Sequence, residues 1–355
     1  MSEWEEVFFN DFIKLNRGFD LPNDEIQEGI FPVIASTTVK AYHINYKVSG
    51  EGVITGRSGS LGKVQYVKDK YWPLNTALYV KDFKGNIPKF VFYFLMEMHL
   101  ENFDSGAGVP TLNQNHLHKL KIKIPPLQTQ QKIANILGTY DELIEVNNER
   151  IKILEETAQS LYKEWFVRFR FPNYQNTEFI KGVPKGWEII KFRNFIKLNR
   201  GFDLPNDKII EGEFPVIAST SIKAFHNEYK SSGEGVITGR SGSLGAVQYI
   251  NGKYWTLNTA LYVKDFKGNF PKYVYYFLQE MHLENFDSGA GVPTLNQNHL
   301  HGLSFPLPPI NLQKKFNEVI SPMFTQIETL QNQNTELRQI RDRLLPRLIS
   351  GKLIV

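Results

Sequence analysis

The run Thr55-Gly-Arg-Ser-Gly-Ser-Leu-Gly62 occurs again, letter for letter, at Thr238 to Gly245. Arg57, Ser58, Gly59 and Ser60, with their twins Arg240, Ser241, Gly242 and Ser243, combine a guanidinium fork, hydroxyls and unshielded backbone N–H groups. These are donors suited to phosphate oxygens and base edges. Lys63 adds a cation beside the first loop, where the second copy has Ala246. The bland alternative is a Gly-rich hairpin whose arginine is merely solvated. A nucleotide-binding P-loop fits less well, because Gly62-Lys63 lacks the hydroxyl residue that should follow and becomes Gly245-Ala246 in the second copy. Arg17 and Arg200, each within Asn-Arg-Gly-Phe, offer a second fork, with ligand contact and ordinary turn equally open. In the repeated run Thr111-Leu-Asn-Gln-Asn-His-Leu-His118, the amides of Asn113, Gln114 and Asn115, like those of Asn296, Gln297 and Asn298, can pair with adenine. The competing role for them is capping and turn formation. His116 and His118 form one pair with no obvious third ligand, so no metal is expected. No catalytic residue is expected either. The Asn/Asp-Pro-Pro-aromatic quartet of an amino-methyltransferase is absent, and no nuclease or ATPase constellation appears.

These segments sit inside a long internal repeat. Phe12 to His118 reappears as Phe195 to His301, 183 residues later and without a gap, with 89 of 107 positions identical. The register extends outward, with Trp4-Glu5 matching Trp187-Glu188 and Pro125-Pro126-Leu127 matching Pro308-Pro309-Ile310. Each half therefore reads as one domain followed by one helix. Within the domain, Phe31-Pro-Val-Ile-Ala, Gly52-Val-Ile-Thr, Val64-Gln-Tyr-Val and Ala77-Leu-Tyr-Val look like strands. Lys89 to Asn102 looks like a helix with Phe90, Phe94, Leu95 and Met98 on its buried stripe, so the domain reads as α/β.

The helices that follow show alternating steps of four and three: Ile133, Leu137, Tyr140 and Ile144 in the first, and Phe316, Ile320, Met323 and Ile327 in the second. About 38 residues at 1.5 Å each make a rod of roughly 55 Å, longer than a domain this size covers, so the two rods are expected to pack on each other. Each seam carries one uncharged polar interruption, Asn147 and Asn334, and an antiparallel register that sets these amides face to face satisfies both. The same register puts Ile133 by Leu348, Trp165 by Phe316, and Arg341 against the Tyr140 ring. Pro322 and Pro346 are expected to bend the second helix near its ends.

Length and composition agree with two cores. A chain of 355 residues with 41% hydrophobic and 13% aromatic side chains can fill both. Zero cysteines exclude a disulfide scaffold and a thiolate zinc site and fit a reducing compartment. The opening Met1-Ser-Glu-Trp-Glu-Glu6 is acidic where a signal peptide is basic, and no apolar run approaches the roughly 20 residues that span a bilayer, so a cytoplasmic protein without membrane contact is expected. The net charge of +4 permits nucleic-acid binding without demanding it.

With domain, helix, domain and helix in hand, the chain resembles the specificity subunit of type I restriction-modification systems over essentially its whole length. Four features carry the resemblance: Gly186-Trp187-Glu188, the two Gly-Arg-Ser-Gly-Ser-Leu-Gly loops, Pro-Pro-Leu-Gln-Thr-Gln-Gln-Lys before the first helix, and Leu344-Leu-Pro-Arg-Leu-Ile-Ser-Gly-Lys-Leu353. The fold expected is α+β: two near-identical α/β target recognition domains separated by two long antiparallel coiled-coil helices, pseudo-two-fold symmetric. Residues 1–126 and 186–309 are the recognition domains, 127–166 and 310–350 the spacer helices, 167–185 a linker and 351–355 a tail. The resemblance implies that each domain reads one half of a split site in double-stranded DNA. It also implies that the helices space the halves and dock two methyltransferase subunits, through which restriction subunits join, in a prokaryotic cytoplasm. This chain would bind no cofactor, S-adenosylmethionine, ATP and magnesium belonging to its partners. Family members usually carry dissimilar recognition domains; two like ones imply an interrupted palindrome. The rival readings are a stand-alone DNA methyltransferase or nuclease and a scaffold without a DNA role.

Overall fold

The computed structural model describes residues 4–106, 108–288, 291 and 293–355. They form two compact units, residues 1–149 with 330–355, and residues 150–329. Each unit holds one copy of the repeated domain together with a stretch of both long helices. Neither helix packs on its own domain alone.

In the first unit, Glu5–Phe8 pairs antiparallel with Lys121–Ile124 and closes the start of the domain on its end. A four-stranded antiparallel sheet runs in the order Lys14–Arg17, Ala77–Asp82, Gly52–Gly56, Val64–Val67. A smaller sheet carries Val39–His43, Phe31–Ile34 and Trp72–Pro73, and only its Phe31–Ile34 to Trp72–Pro73 pairing is parallel. The α/β expectation is corrected accordingly. No α-helix separates the strands between Lys14 and Asp82 and their pairing is mostly antiparallel, so the domain is α+β rather than built of helical crossovers. Helix Pro88–Glu97 starts on its proline and buries Phe90, Val91, Tyr93, Phe94 and Leu95. It ends before Asn102 because His99 turns left-handed at φ 50 and ψ 60, which α-helix cannot continue through, and Leu100–Phe103 follows as a 3-10 turn.

The second unit repeats this plan. Glu188–Lys191 pairs with Ser304–Leu307, and the four-stranded sheet runs Lys197–Arg200, Ala260–Asp265, Gly235–Gly239, Val247–Ile250. Residues 167–185 contain a 3-10 turn at Tyr174–Asn176 and a hairpin of Phe179–Ile180 with Val183–Pro184. Trp187 packs near Phe166, Phe169 and Phe171.

The long helices are Leu127–Tyr162, continued by a π-helical turn Lys163–Val167, and Ile310–Ile349, which runs unbroken through Pro322 and Pro346. A buried glutamine fixes each helix start. Gln130 accepts from the Ile87 N–H and donates to Asn86 Oδ1 and the Pro125 carbonyl, and Gln313 does the same with Phe270, Asn269 and Pro308.

Within the first unit, Ile133, Ala134 and Leu137 share a core with Leu345, Leu348 and Ile349. Asn147 Nδ2 donates to Asn334 Oδ1 at 3.0 Å, and Asn334 Nδ2 donates to Oδ1 of the exposed Asn148 at 2.9 Å, so the buried Asn334 is satisfied by Asn147 together with its neighbour. Partners here fall in number on one helix as they rise on the other, Asp141 meeting Arg341 and Asn147 meeting Asn334. Arg341, expected either to stack on the Tyr140 ring or to snorkel outward, instead pairs with Asp141, which also accepts from the Tyr93 hydroxyl. A half-buried carboxylate outcompetes an aromatic face for a cation. In the second unit the helix stretches meet through aromatics, with the Phe316 ring 5.8 Å from Trp165 and 5.0 Å from Phe166.

Candidate nucleic-acid interface

Strand Gly52–Gly56 is buried along its length and delivers the chain into the Arg57–Gly62 loop. The Arg57 and Ser58 N–H groups both donate to the Thr76 carbonyl, at 2.8 and 3.2 Å, which pins the loop to the turn before strand Ala77–Asp82. Gly59 donates to Pro110, and Leu112 donates to the Arg57 carbonyl. The loop and the Thr111–Asn115 run, far apart in the chain, are thus stitched side by side. Gly59 and Gly62 hold φ values of 85 and 86, a left-handed conformation that side chains disfavour, which is why this turn needs glycine at both places.

Arg57 donates one guanidinium N–H to the Asn75 carbonyl at 3.3 Å. A guanidinium has five N–H groups, so most of this half-exposed fork is left for a ligand. Asn75 also donates through its side chain to Asp20, which lies 3.5 Å from Arg17. Arg57 therefore bonds Asn75 directly, and Arg17 is linked to it only through Asp20. Ser60 and Lys63 are exposed.

The amide run divides its labour. Asn113 Oδ1 caps the short helix Gln114–Leu117 by accepting from the Asn115 N–H at 2.9 Å, and Asn296 does likewise for Asn298. Asn115 is exposed, whereas Gln114 Oε1 is buried without a hydrogen-bond partner, as is Gln297 Oε1. Asp104 accepts from the Gly106 and Thr111 N–H groups, and these backbone bonds hold its carboxyl below the usual carboxylate range. His118 Nε2 accepts from the Leu15 N–H, and burial lowers its pKa, so the ring is committed in its neutral form. Among the described residues no group of three or more His, Cys, Asp or Glu is placed to hold a metal ion, and no helix is long and apolar enough to cross a membrane.

The second unit builds the same frame. Arg240 and Ser241 donate to the Thr259 carbonyl at 2.9 and 3.1 Å, Gly242 donates to Pro293, Leu295 donates to Arg240, and the Arg240 guanidinium reaches Asn258 at 3.4 Å. Arg200 lies 3.7 Å from Asp203. Sequence reasoning missed Ser36, whose hydroxyl lies 2.8 Å from the Thr76 carbonyl and 3.0 Å from that of Ser58, and it missed Asn75 and Thr76 themselves. Ser219, Asn258 and Thr259 are their twins. Their signal was available: small polar residues at strand ends, unchanged between the copies.

A family model described as the type I restriction modification DNA specificity domain matches residues 1–156 and again residues 184–339. The type I restriction enzyme MjaIX specificity subunit of Methanocaldococcus jannaschii is 28% identical over 360 residues, spanning 91% of this chain and 82% of its own. The MjaVIII specificity subunit of the same organism is 27% identical over 217 residues, 56% of this chain and 51% of its own. The crystal structure of a type I restriction-modification system S subunit from M. genitalium is similar in fold, with a TM-score of 0.64 and 17% identity over 98% of this chain and 96% of that one.

Proposed function

Because the chain belongs to the type I restriction-modification DNA specificity family, we propose that it is the DNA-reading subunit of such a complex and that catalysis resides in its partners. The observation that carries this reading is the duplicated loop frame, in which matching backbone hydrogen bonds in both units hold the same half-exposed arginine beside an exposed serine, Ser60 or Ser243. Each domain reads one half of a bipartite site, by base edges where Arg57 or Arg240 forks and by phosphates at the exposed hydroxyls of Ser60 and Ser243, the Arg57, Ser58 and Gly59 N–H groups being spent within the frame. The antiparallel contacts of Asn147 and Asn334 support a coiled-coil pair that fixes the spacing of the halves. Domains related by a pseudo-two-fold axis present like readers to inverted half-sites, so the target is an interrupted palindrome. The helices dock two methyltransferase subunits, restriction subunits join through these, and S-adenosylmethionine, ATP and magnesium bind to those partners.

Binding of the full chain to a random-duplex pool should enrich one bipartite motif and weaken steeply with salt. Methyl transfer to that duplex should appear only when methyltransferase subunits are added. Methyl transfer by the chain alone would establish the stand-alone enzyme instead, and salt-independent or absent duplex binding would establish a scaffold.

A further inference from the structure

The two recognition units share the hydrogen bonds that tie the loop to its neighbours, and one charge differs in or directly beside the loop. Every loop hydrogen bond named above recurs in the second unit within about 0.1 Å. Among the 18 differing positions of the repeat, only Lys63 against Ala246 falls in or next to the Gly56–Gly62 run. Both follow a left-handed glycine, Gly62 at φ 86 and Gly245 at φ 86, and both precede a four-residue strand. The other basic residue lost between these strands and the next, Lys68 against Asn251, is engaged in the first unit by Glu145 at 2.8 Å. Lys63 is exposed and makes no ion pair among the described residues.

A lysine ammonium is a point charge without a planar fork, so beside a base-reading loop it suits a phosphate rather than a base edge. We infer that Lys63 is a phosphate anchor present in the first unit alone, so that the two units read the same bases with unequal grip on the DNA backbone. This rests on the loop being the DNA-reading element. The first unit then holds its half-site more tightly at low salt, and the difference fades as salt rises.

The test uses the full-length chain and a labelled duplex carrying the motif that the wild-type chain selects. Each phosphate neutralised contributes about 0.9 to the slope of log affinity against log salt. Lys63→Ala should lower that slope by about 0.9, so its deficit against wild type grows about 3.5-fold between 200 and 50 mM salt. Ala246→Lys should raise the slope by the same amount, the first unit having shown that this frame accepts lysine. The selected motif should not change in either variant. An unchanged slope in both, in a chain whose binding is lost on changing Arg57 and Arg240, would overturn the anchor while leaving the loop in place. A changed motif would make Lys63 a base reader and overturn it too. Binding that survives the arginine changes would remove the loop itself, and the anchor with it.

Discussion

Changing Arg57 and Arg240 together to alanine should weaken binding to the specific duplex by about 2–6 kcal/mol, while each single change costs about half of that. A good bidentate contact to a base contributes roughly 1–3 kcal/mol of discrimination, and two forks in separate units should add. The fold should be untouched. Each guanidinium is half exposed and spends one long hydrogen bond, 3.3 or 3.4 Å, on a neighbouring carbonyl, so truncation should shift stability by no more than about 0.5 kcal/mol. Titration of labelled duplex at fixed salt, alongside thermal melting, checks both halves of the expectation. Equal losses from the two single variants are required if the units read alike. A loss confined to one arginine would show that the second loop is idle.

The largest stability effect should come from Phe316→Ala. The ring is fully buried and lies 5.9 Å from Tyr162, 5.8 Å from Trp165, 5.0 Å from Phe166 and 6.1 Å from Tyr276. It thereby joins both helix stretches of the second unit to helix Pro271–Glu280 of its domain. Emptying such a site costs about 3–5 kcal/mol, which for a unit of this size lowers its melting midpoint by about 6–20 °C. Calorimetry of the full chain should show the shift in a transition belonging to the second unit. The first unit uses Ile133 at the equivalent repeat position, packed with Leu137 and Leu348 rather than with aromatics. A midpoint within 2 °C of wild type, a shift below about 0.5–1 kcal/mol, would mean that the helices contribute little to that core.

Much of the architecture was legible because the signal was local. Val53 and Ile54, or Leu78, Tyr79 and Val80, are β-branched, aliphatic or aromatic residues bounded by turn formers, and they are buried strand residues in the structure. Seam spacing over many turns likewise announces a long helix. What failed was decided by backbone conformation or by tertiary partners. Nothing in the residue type of His99 announces a left-handed conformation, yet that single residue ends helix Pro88–Glu97 early. Arg341 was set against Tyr140, but the carboxylate one residue along at Asp141 claims it, a choice that register alone does not resolve. At the candidate interface the arginines stood out by type. Ser36, Asn75 and Thr76 did not, because their role is to accept or donate across strands that only the fold brings together. Asn113 was legible in both its roles, and its side-chain oxygen is used for capping.

Two like domains are proposed to read like half-sites in inverted orientation. Mapping every methylated base in a host that expresses this chain with its methyltransferase tests it most directly. The expected result is a single motif whose halves are reverse complements separated by an unspecified spacer, modified once on each strand. A motif with unrelated halves would contradict it, placing the readers among the 18 positions where the copies differ rather than in the loops they share.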